Sequence, residues 1–349
     1  MNLLGIKGNL FRWISNYLIN RTQVVRNSKF CLDRCKVTSG VPQGSVLGPS
    51  LFLCYINDIK FIPTKSHINL FADDTVLYLA NDNLDILISN MQSDLTLISN
   101  WCTFSKLCLN SKKTNVICSS PSFRKHLNLS SIQKLKLFGT ELDYVTSCDY
   151  LGIRIDYKLF FDKFYEKVKQ SATHKIFMLS QIRKYLNTTA AVTILKSMVL
   201  PFFEYGGLFL EACEPRFRDK LHRLFCRGIR IALNNYCDFF SAYDLHTEIN
   251  FLPLSYRRAI MICKFMFKQR GCDGFELLSA AYATRLHDGP VLKVPDVSNE
   301  KFKRFLPWLG PSTWNGLPIE LRNQECYSRF VSELKSDLRV KFYFDQTFR

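Results

Sequence analysis

"NLFADDTVLYLA", from Asn69 to Ala80, sets two adjacent carboxylates inside a run that is otherwise apolar and rich in strand formers. Both arms carry large aliphatic and aromatic residues at successive positions, the pattern of strands buried on both faces. Two readings fit the acidic centre. Asp is a common turn residue because its side chain accepts hydrogen bonds from nearby amides, so "ADDT" reads as a hairpin corner. Alternatively, Asp73 and Asp74 at the tip of a buried hairpin repel each other and lose hydration unless cations neutralise them. A pair of divalent metal ions would do so.

The flanking windows place this hairpin in an ordered series. Upstream, "NLFRWISNYLINRTQVV" has Leu10, Ile14, Tyr17 and Leu18 at helical spacing and then turns strand-like, and "CLDRCKVTSG" completes a helix followed by a hairpin. In "GVPQGSVLGPSLFLCYINDIKFIP", Leu47, Leu51, Phe52, Tyr55, Ile56 and Ile59 share one helical face, and Pro49 falls where a first turn tolerates it. The preceding loop, Val41 to Gly44 with Ser45 as a cap, offers backbone amides to a phosphate or a base pair, or is a plain turn. Downstream, Leu84, Leu87, Ile88, Met91, Leu95, Ile98 and Trp101 mark an amphipathic helix capped by Asp82 or Asn83. An extended "LCLNSKKTNVICSS" and a strand pair in "LKLFGTELDYVTSCDYLGIRID" follow. The order implies an α+β fold, an antiparallel sheet with helices on one face.

From about Phe160 the pattern is helix after helix. In "RFRDKLHRLFCRGIRIAL", Arg216, Lys220, Arg223, Arg227 and Arg230 recur at spacings of four and three beside an apolar stripe of Phe217, Leu221, Leu224, Phe225 and Ala232. Five like charges on one line repel one another, so the line is either a solvated face or a face that follows phosphates. "RFLPWLGPSTWNGLPIELRNQECYSRFVSELKSDL" reads as a Pro/Gly-rich loop bearing Trp residues and then an amphipathic helix.

Composition narrows the partners. The 349 residues are 47% hydrophobic and 22% charged, enough for about two domains. A net charge of +17 points to a polyanion, nucleic acid ahead of an anionic membrane, and 14% aromatic residues could supply stacking groups. The 13 cysteines are scattered, with no C-x-x-C pair and no Cys/His cluster at zinc spacing, which suits reduced thiols in the cytoplasm or nucleus rather than a secreted protein. The N-terminus lacks a signal-peptide pattern, and no uncharged apolar run approaches the roughly 20 residues of a membrane span.

Taken in order, "GVPQGSVLGPSLFLCYINDI", "LFADDTVLY", "LCLNSKKTNVI" and "YLGIRI" resemble the palm motifs of reverse transcriptases of non-LTR (LINE-like) retrotransposons. The strong resemblance covers roughly Gly5 to Asp156, and "TWNGLPIELR" is similar to the region that follows the polymerase in such elements. The resemblance implies an RNA-directed DNA polymerase acting on an RNA template, a DNA primer and deoxynucleoside triphosphates. Asp73 and Asp74 then hold Mg²⁺ or Mn²⁺ in a two-ion site, with Asp73 the principal ligand. Gln43 and Gly44, with Ser45, lie beneath the template base and the incoming nucleotide, and Lys113, or Lys112 in its place, sits beside the leaving pyrophosphate. The expected division is a partial palm over 1–158, a basic thumb-like helical region over 159–235 and a helical C-terminal region over 236–349.

One element of that family pattern is missing. A third aspartate is expected on a strand before the Gln-Gly loop, in a Phe-x-Asp context, yet the only acidic residue ahead of Gln43 is Asp33 in "CLDRC". The fingers that bind the triphosphate are missing as well. The expectation is therefore an incomplete two-ion site and a chain inactive alone, with the N-terminal part of the polymerase as a partner. The rival reading is a non-catalytic nucleic-acid-binding protein derived from such an element.

Overall fold

The computed structural model describes residues 5–27, 30–119, 132–236, 245–246, 248–269, 292–298 and 300–336. They fall into two compact units, one within Met1–Val116 and Leu127–Val145, the other within Ile117–His126 and Thr146–Arg349.

The first unit is mixed. It contains α1 (Gly8–Leu18), β1 (Arg21–Gln23), β2 (Arg26–Asn27), β3 (Phe30–Cys31), β4 (Cys35–Val37), α2 (Gly48–Ile56), β5 (His67–Phe71), β6 (Asp74–Tyr78), α3 (Leu84–Phe104), β7 (Asn115–Val116), β8 (Lys136–Leu137), β9 (Thr140–Glu141) and β10 (Asp143–Tyr144). The α+β class stands, but the strands form separate two-stranded ladders rather than one antiparallel sheet, and β7 pairs with β10 in parallel. Most of these strands are two or three residues long, too short to line up as a continuous sheet.

A small core holds the helices to the hairpin. Ile56 from α2, Ile59 just beyond it, and Ile98 and Cys102 from α3 are buried together, with Phe52, Ile68, Leu70, Leu77 and Trp101 packed around them. The expected helical face of α2 is thus largely correct, except that Tyr55 is exposed and donates its hydroxyl to the Ser105 carbonyl at 2.5 Å. Asn83 is the cap of α3, accepting from the amides of Asp85 and Ile86 at 2.9 and 3.1 Å. Halfway along α3, Asp94 is fully buried and its carboxylate takes five hydrogen bonds from Thr64, Lys65 and Ser66. Burial alone would raise its pKa, but the bonds from the Ser66 hydroxyl and the three amides prevail and hold it below the ordinary carboxylate value.

The second unit is chiefly helical: β11 (Ser147–Tyr150) and β12 (Ile153–Asp156) form a hairpin, followed by α4 (Asp162–Ile182), α5 (Thr188–Ile194), a π-turn at Leu195–Val199, α6 (Leu200–Glu204), α7 (Gly207–Ala212), α8 (Pro215–Leu233), α9 (Leu254–Gln269), α10 (Leu306–Asn315), α11 (Ile319–Arg322) and α12 (Tyr327–Ser336). Leu151 and Gly152, both at positive φ, make the tight turn of "YLGIRI", and the Tyr205 hydroxyl donates to the Leu151 carbonyl. Tyr165, Ile176, Leu195, Phe203, Phe225 and Ile229 lie at the centre of one large cluster, while Cys263, Met266, Trp314 and Phe330 anchor a second. At Gly228 a Cβ would come within 2.9 Å of a Leu195 methyl and 3.3 Å of Ile176, both buried, so a larger residue there forces these side chains to shift.

"LPWLGPSTWN", expected as a loop, is helix α10. Pro307 falls in its first turn, where no amide is needed, and burial of Leu309 and Trp314 outweighs the hydrogen bond forfeited at Pro311. Among the described residues no helix is long and apolar enough to cross a membrane.

Candidate functional site

The aspartate hairpin is a tight one. Phe71 pairs with Asp74, leaving Ala72 and Asp73 as the two turn residues. Such turns need a left-handed residue that matches the strand twist, and Ala72 supplies it at φ +51°, a conformation that disfavours any residue with a Cβ. Asp73 therefore sits in the turn and Asp74 opens β6, and both are exposed. Neither carboxylate has an ion pair or side-chain hydrogen bond among the described residues.

The arms depart from expectation. Only one face of the hairpin is covered, through Ile68, Leu70 and Leu77, while the other exposes Phe71 at 62% and Tyr78 at 50%. Tyr78 stacks on His67 with ring centroids 5.1 Å apart. The successive large residues thus serve a one-sided two-stranded ladder, not strands buried on both faces, because no further strand pairs with β5 or β6 among the described residues.

The Gln-Gly loop is a turn on the N-terminal side of α2. Gly44 has φ +77° with open space where a Cβ would be, so here the glycine is required by the backbone conformation rather than by crowding. Gln43 and Gly44 are exposed, whereas Ser45 is occupied structurally: its hydroxyl donates to the Pro42 carbonyl at 2.7 Å and accepts from the Gly48 amide at 3.1 Å. Leu47, not Ser45, is the cap residue of α2, and Ser45 delivers the capping bond from two positions upstream.

Lys112 and Lys113 end a 3-10 turn before β7, with the Asn110 side chain accepting from both their amides, and both are exposed. The Gln43–Ser45 turn leads into α2, the aspartate turn joins β5 to β6, and Lys113 follows Leu109. All three segments adjoin elements of the same small core. No hydrogen bond or ion pair joins Gln43, Asp73, Asp74 and Lys113 among the described residues. Nor does Asp33, exposed between β3 and β4, supply a third carboxylate: in the described residues the only group of three metal-type donors within 4.8 Å lies in the second unit.

On α8 the basic line is real as a surface. Arg216, Lys220, Arg223 and Arg227 are exposed, with Arg216 also paired to Glu214 at 2.7 Å. Arg230 departs from the line, being half-buried with its Nε enclosed and without a partner among the described residues. A sixth cation of the helix, Arg218, turns inward and shares the buried Glu211 carboxylate with Arg258, whose Nε lies 2.5 Å from it. Burial pushes both guanidinium pKa values down to about 10.

The group of three donors is His222, Cys226 and His246. Its helical half was visible as H-x3-C in "HRLFC", but His246 lies 20 residues further on, outside any zinc-motif spacing. Burial lowers the pKa of His222, and burial with His222 beside it brings His246 to about 4, while burial raises Cys226 to about 11.

Comparison with known proteins bears on the first of these sites. Residues 2–155 match the family described as reverse transcriptase (RNA-dependent DNA polymerase). The chain is 26% identical over 207 residues to the RNA-directed DNA polymerase from mobile element jockey of Drosophila melanogaster, covering 56% of this chain and 22% of that protein. It is 27% identical over 217 residues to the probable RNA-directed DNA polymerase from transposon X-element, covering 60% and 23%, and 27% identical over 251 residues to that from transposon BS, covering 68% and 27%, both of the same fly. The chain thus spans roughly a quarter of the length of these relatives. No solved structure is significantly similar to it. The resemblance to reverse transcriptases of LINE-like elements, read from the motifs, is shown by these matches.

Proposed function

We propose, from the reverse transcriptase match of residues 2–155, that the chain is the palm and thumb-like part of an RNA-directed DNA polymerase of a LINE-like element, working on an RNA template, a DNA primer and deoxynucleoside triphosphates. In this reading residues 1–158 contribute to the palm and 159–235 to the thumb. The observation that carries it is the pair of exposed, uncompensated carboxylates at the strained hairpin tip.

The donors fit divalent magnesium or manganese in kind, since such ions take oxygen ligands from one or two carboxylates and complete their shells with substrate phosphates. When bound, two such ions stabilise the attacking 3′ oxygen and the leaving pyrophosphate. Asp73 and Asp74 would hold them. The Gly44 backbone allows close approach of a base pair, the Gln43 amide can donate and accept at once, and the Lys113 ammonium offsets charge on the departing pyrophosphate. Two carboxylates without a third leave the two-ion site incomplete, so these 349 residues alone do not extend a primer.

The test has two arms. Mn²⁺ binding to the full chain in the presence of primer–template should weaken about tenfold or more in Asp73→Asn, and unchanged binding would defeat the metal assignment. Primer extension by the chain alone, abolished by Asp73→Asn, would defeat the incompleteness.

The exposed cations of α8 favour a second reading, a non-catalytic nucleic-acid binder. In that case RNA or DNA affinity falls with salt, each of Lys220→Gln, Arg223→Gln and Arg227→Gln lowers the logarithmic salt slope by about one, and Asp73→Asn changes nothing.

A further inference from the structure

The inner side of α8 carries His222 and Cys226, one helical turn apart, with Sγ 3.6 Å from the His222 Nε2. His246 closes the group, so that one donor atom from each residue lies within 4.8 Å of the other two. His246 is only 2% exposed, yet among the described residues neither of its ring nitrogens has a hydrogen-bond partner. A neutral imidazole has one N–H and one lone pair to satisfy, and a buried ring that satisfies neither calls for an explanation. Its neighbours offer none: Phe225 and Phe251 pack against it at centroid distances of 5.8 and 6.5 Å, and His222 stacks on it at 5.5 Å.

We propose that His222, Cys226 and His246 form a Zn²⁺ site that ties the inner face of α8 to the chain at His246. Tetrahedral zinc with bonds of about 2.0–2.1 Å to nitrogen and 2.3 Å to sulfur sets its donors roughly 3.3–3.6 Å apart. The His222–Cys226 pair is already at that separation, and side-chain rotation of about an ångström brings in the third donor. On binding, the Cys226 S–H bond breaks, its proton leaves to solvent, and the thiolate binds the metal with no change of oxidation state. Each neutral histidine contributes a lone pair, and a water takes the fourth position. Two imidazoles and a thiolate select zinc over magnesium, calcium or manganese. The nearby Arg258 charge does not oppose the cation strongly, because Glu211 pairs with it. This site is independent of the polymerase reading: it uses none of the hairpin residues and would stand if the chain never touched a nucleotide.

Metal content and cobalt spectroscopy of the purified full chain test it. The expected result is one zinc per chain and, after exchange into Co²⁺, strong visible bands of a tetrahedral site together with a thiolate-to-metal charge-transfer band. Cys226→Ser should remove the charge-transfer band and weaken zinc binding about a hundredfold or more, and His246→Gln should weaken it comparably. Circular dichroism checks that the variants fold, and if His246→Gln does not, Cys226→Ser decides the matter alone. Absence of zinc with only weak octahedral cobalt bands would overturn the site, leaving the orphaned nitrogens to a buried water. A charge-transfer band that survives in Cys226→Ser would overturn it too, by assigning the thiolate to another cysteine.

Discussion

Among the described residues, four buried side chains beneath the aspartate hairpin, Ile56, Ile59, Ile98 and Cys102, make up a cluster that α2, α3 and the hairpin share, whereas the cluster built around α4 and α8 counts 24. The polar side chains differ in the same sense. In the first unit the candidate groups Gln43, Asp73, Asp74 and Lys113 are exposed on turns. In the second, Glu211, Arg258 and His246 are sealed among apolar side chains. Turns free of packing demands can keep a chemical pattern close together in sequence, while a deep core assembles its polar groups from distant segments.

The largest effect should come from the deep core. Glu211 is 2% exposed and is the shared partner of Arg218 and Arg258. Glu211→Gln leaves the buried Arg258 and the half-buried Arg218 without their counter-charge and is expected to destabilise the second unit by about 3–5 kcal/mol. Urea unfolding followed by near-ultraviolet circular dichroism measures it. Replacing Glu211, Arg218 and Arg258 together with Leu or Met should recover much of that loss, since a whole buried ion group is often dispensable where half of one is not. If Glu211→Gln is harmless, the buried ion group is not what anchors the second unit.

The same contrast explains what the sequence made legible. The hairpin, the Gln-Gly turn, the α3 cap and the basic line were all readable, because each depends on residues within a few positions of one another: Phe71 with Asp74, Ser45 with Gly48, Asn83 with Ile86. Glu211 with Arg258, and Cys226 with His246, are joined only by tertiary packing, which periodicity cannot see. Two departures from local preference share a cause. The large residues on both arms of the aspartate hairpin fit strands buried on both faces, and "LPWLGPSTWN" fits a loop, because apolar content and Pro or Gly report local preference, whereas the surrounding layers decide burial. Arg230 differs from its line for a smaller reason, being at the end of the helix where the exposed face rolls inward.

Asp94 is the exception, a fully buried polar anchor inside the first unit. Asp94→Asn removes the charge that receives five bonds and is expected to cost about 2–3 kcal/mol, seen as faster hydrogen exchange at the amides of Thr64, Lys65 and Ser66. Its pH dependence has a definite sign. Because the folded carboxyl pKa lies below the ordinary 3.8, its stabilisation is fully present above that value and is lost as pH falls through the lower folded one. Asp94→Asn should flatten the acid limb of the first unit's stability curve. An unchanged acid limb would mean that the anchor does not distinguish the charged from the neutral state.

The smallest effect on stability carries the most information about function. Ala72 holds φ +51°, a conformation that costs an L-residue about 1–2 kcal/mol and glycine nearly nothing. Ala72→Gly relieves that strain but frees the unfolded chain by about 0.4–1 kcal/mol, so the net change should lie between about zero and a stabilisation of about 1.6 kcal/mol. Ala72→Val should destabilise by a similar amount, because β-branching disfavours positive φ further. Strain that persists at a turn beside two uncompensated carboxylates is explicable if it fixes where Asp73 points. On that argument Ala72→Gly weakens Mn²⁺ binding severalfold while stability holds or rises, a dissociation of the two readouts that a merely structural turn would not give. If both readouts stay flat, the strain is idle, and the exposed pair at the hairpin tip loses the local feature that sets it apart from an ordinary acidic corner.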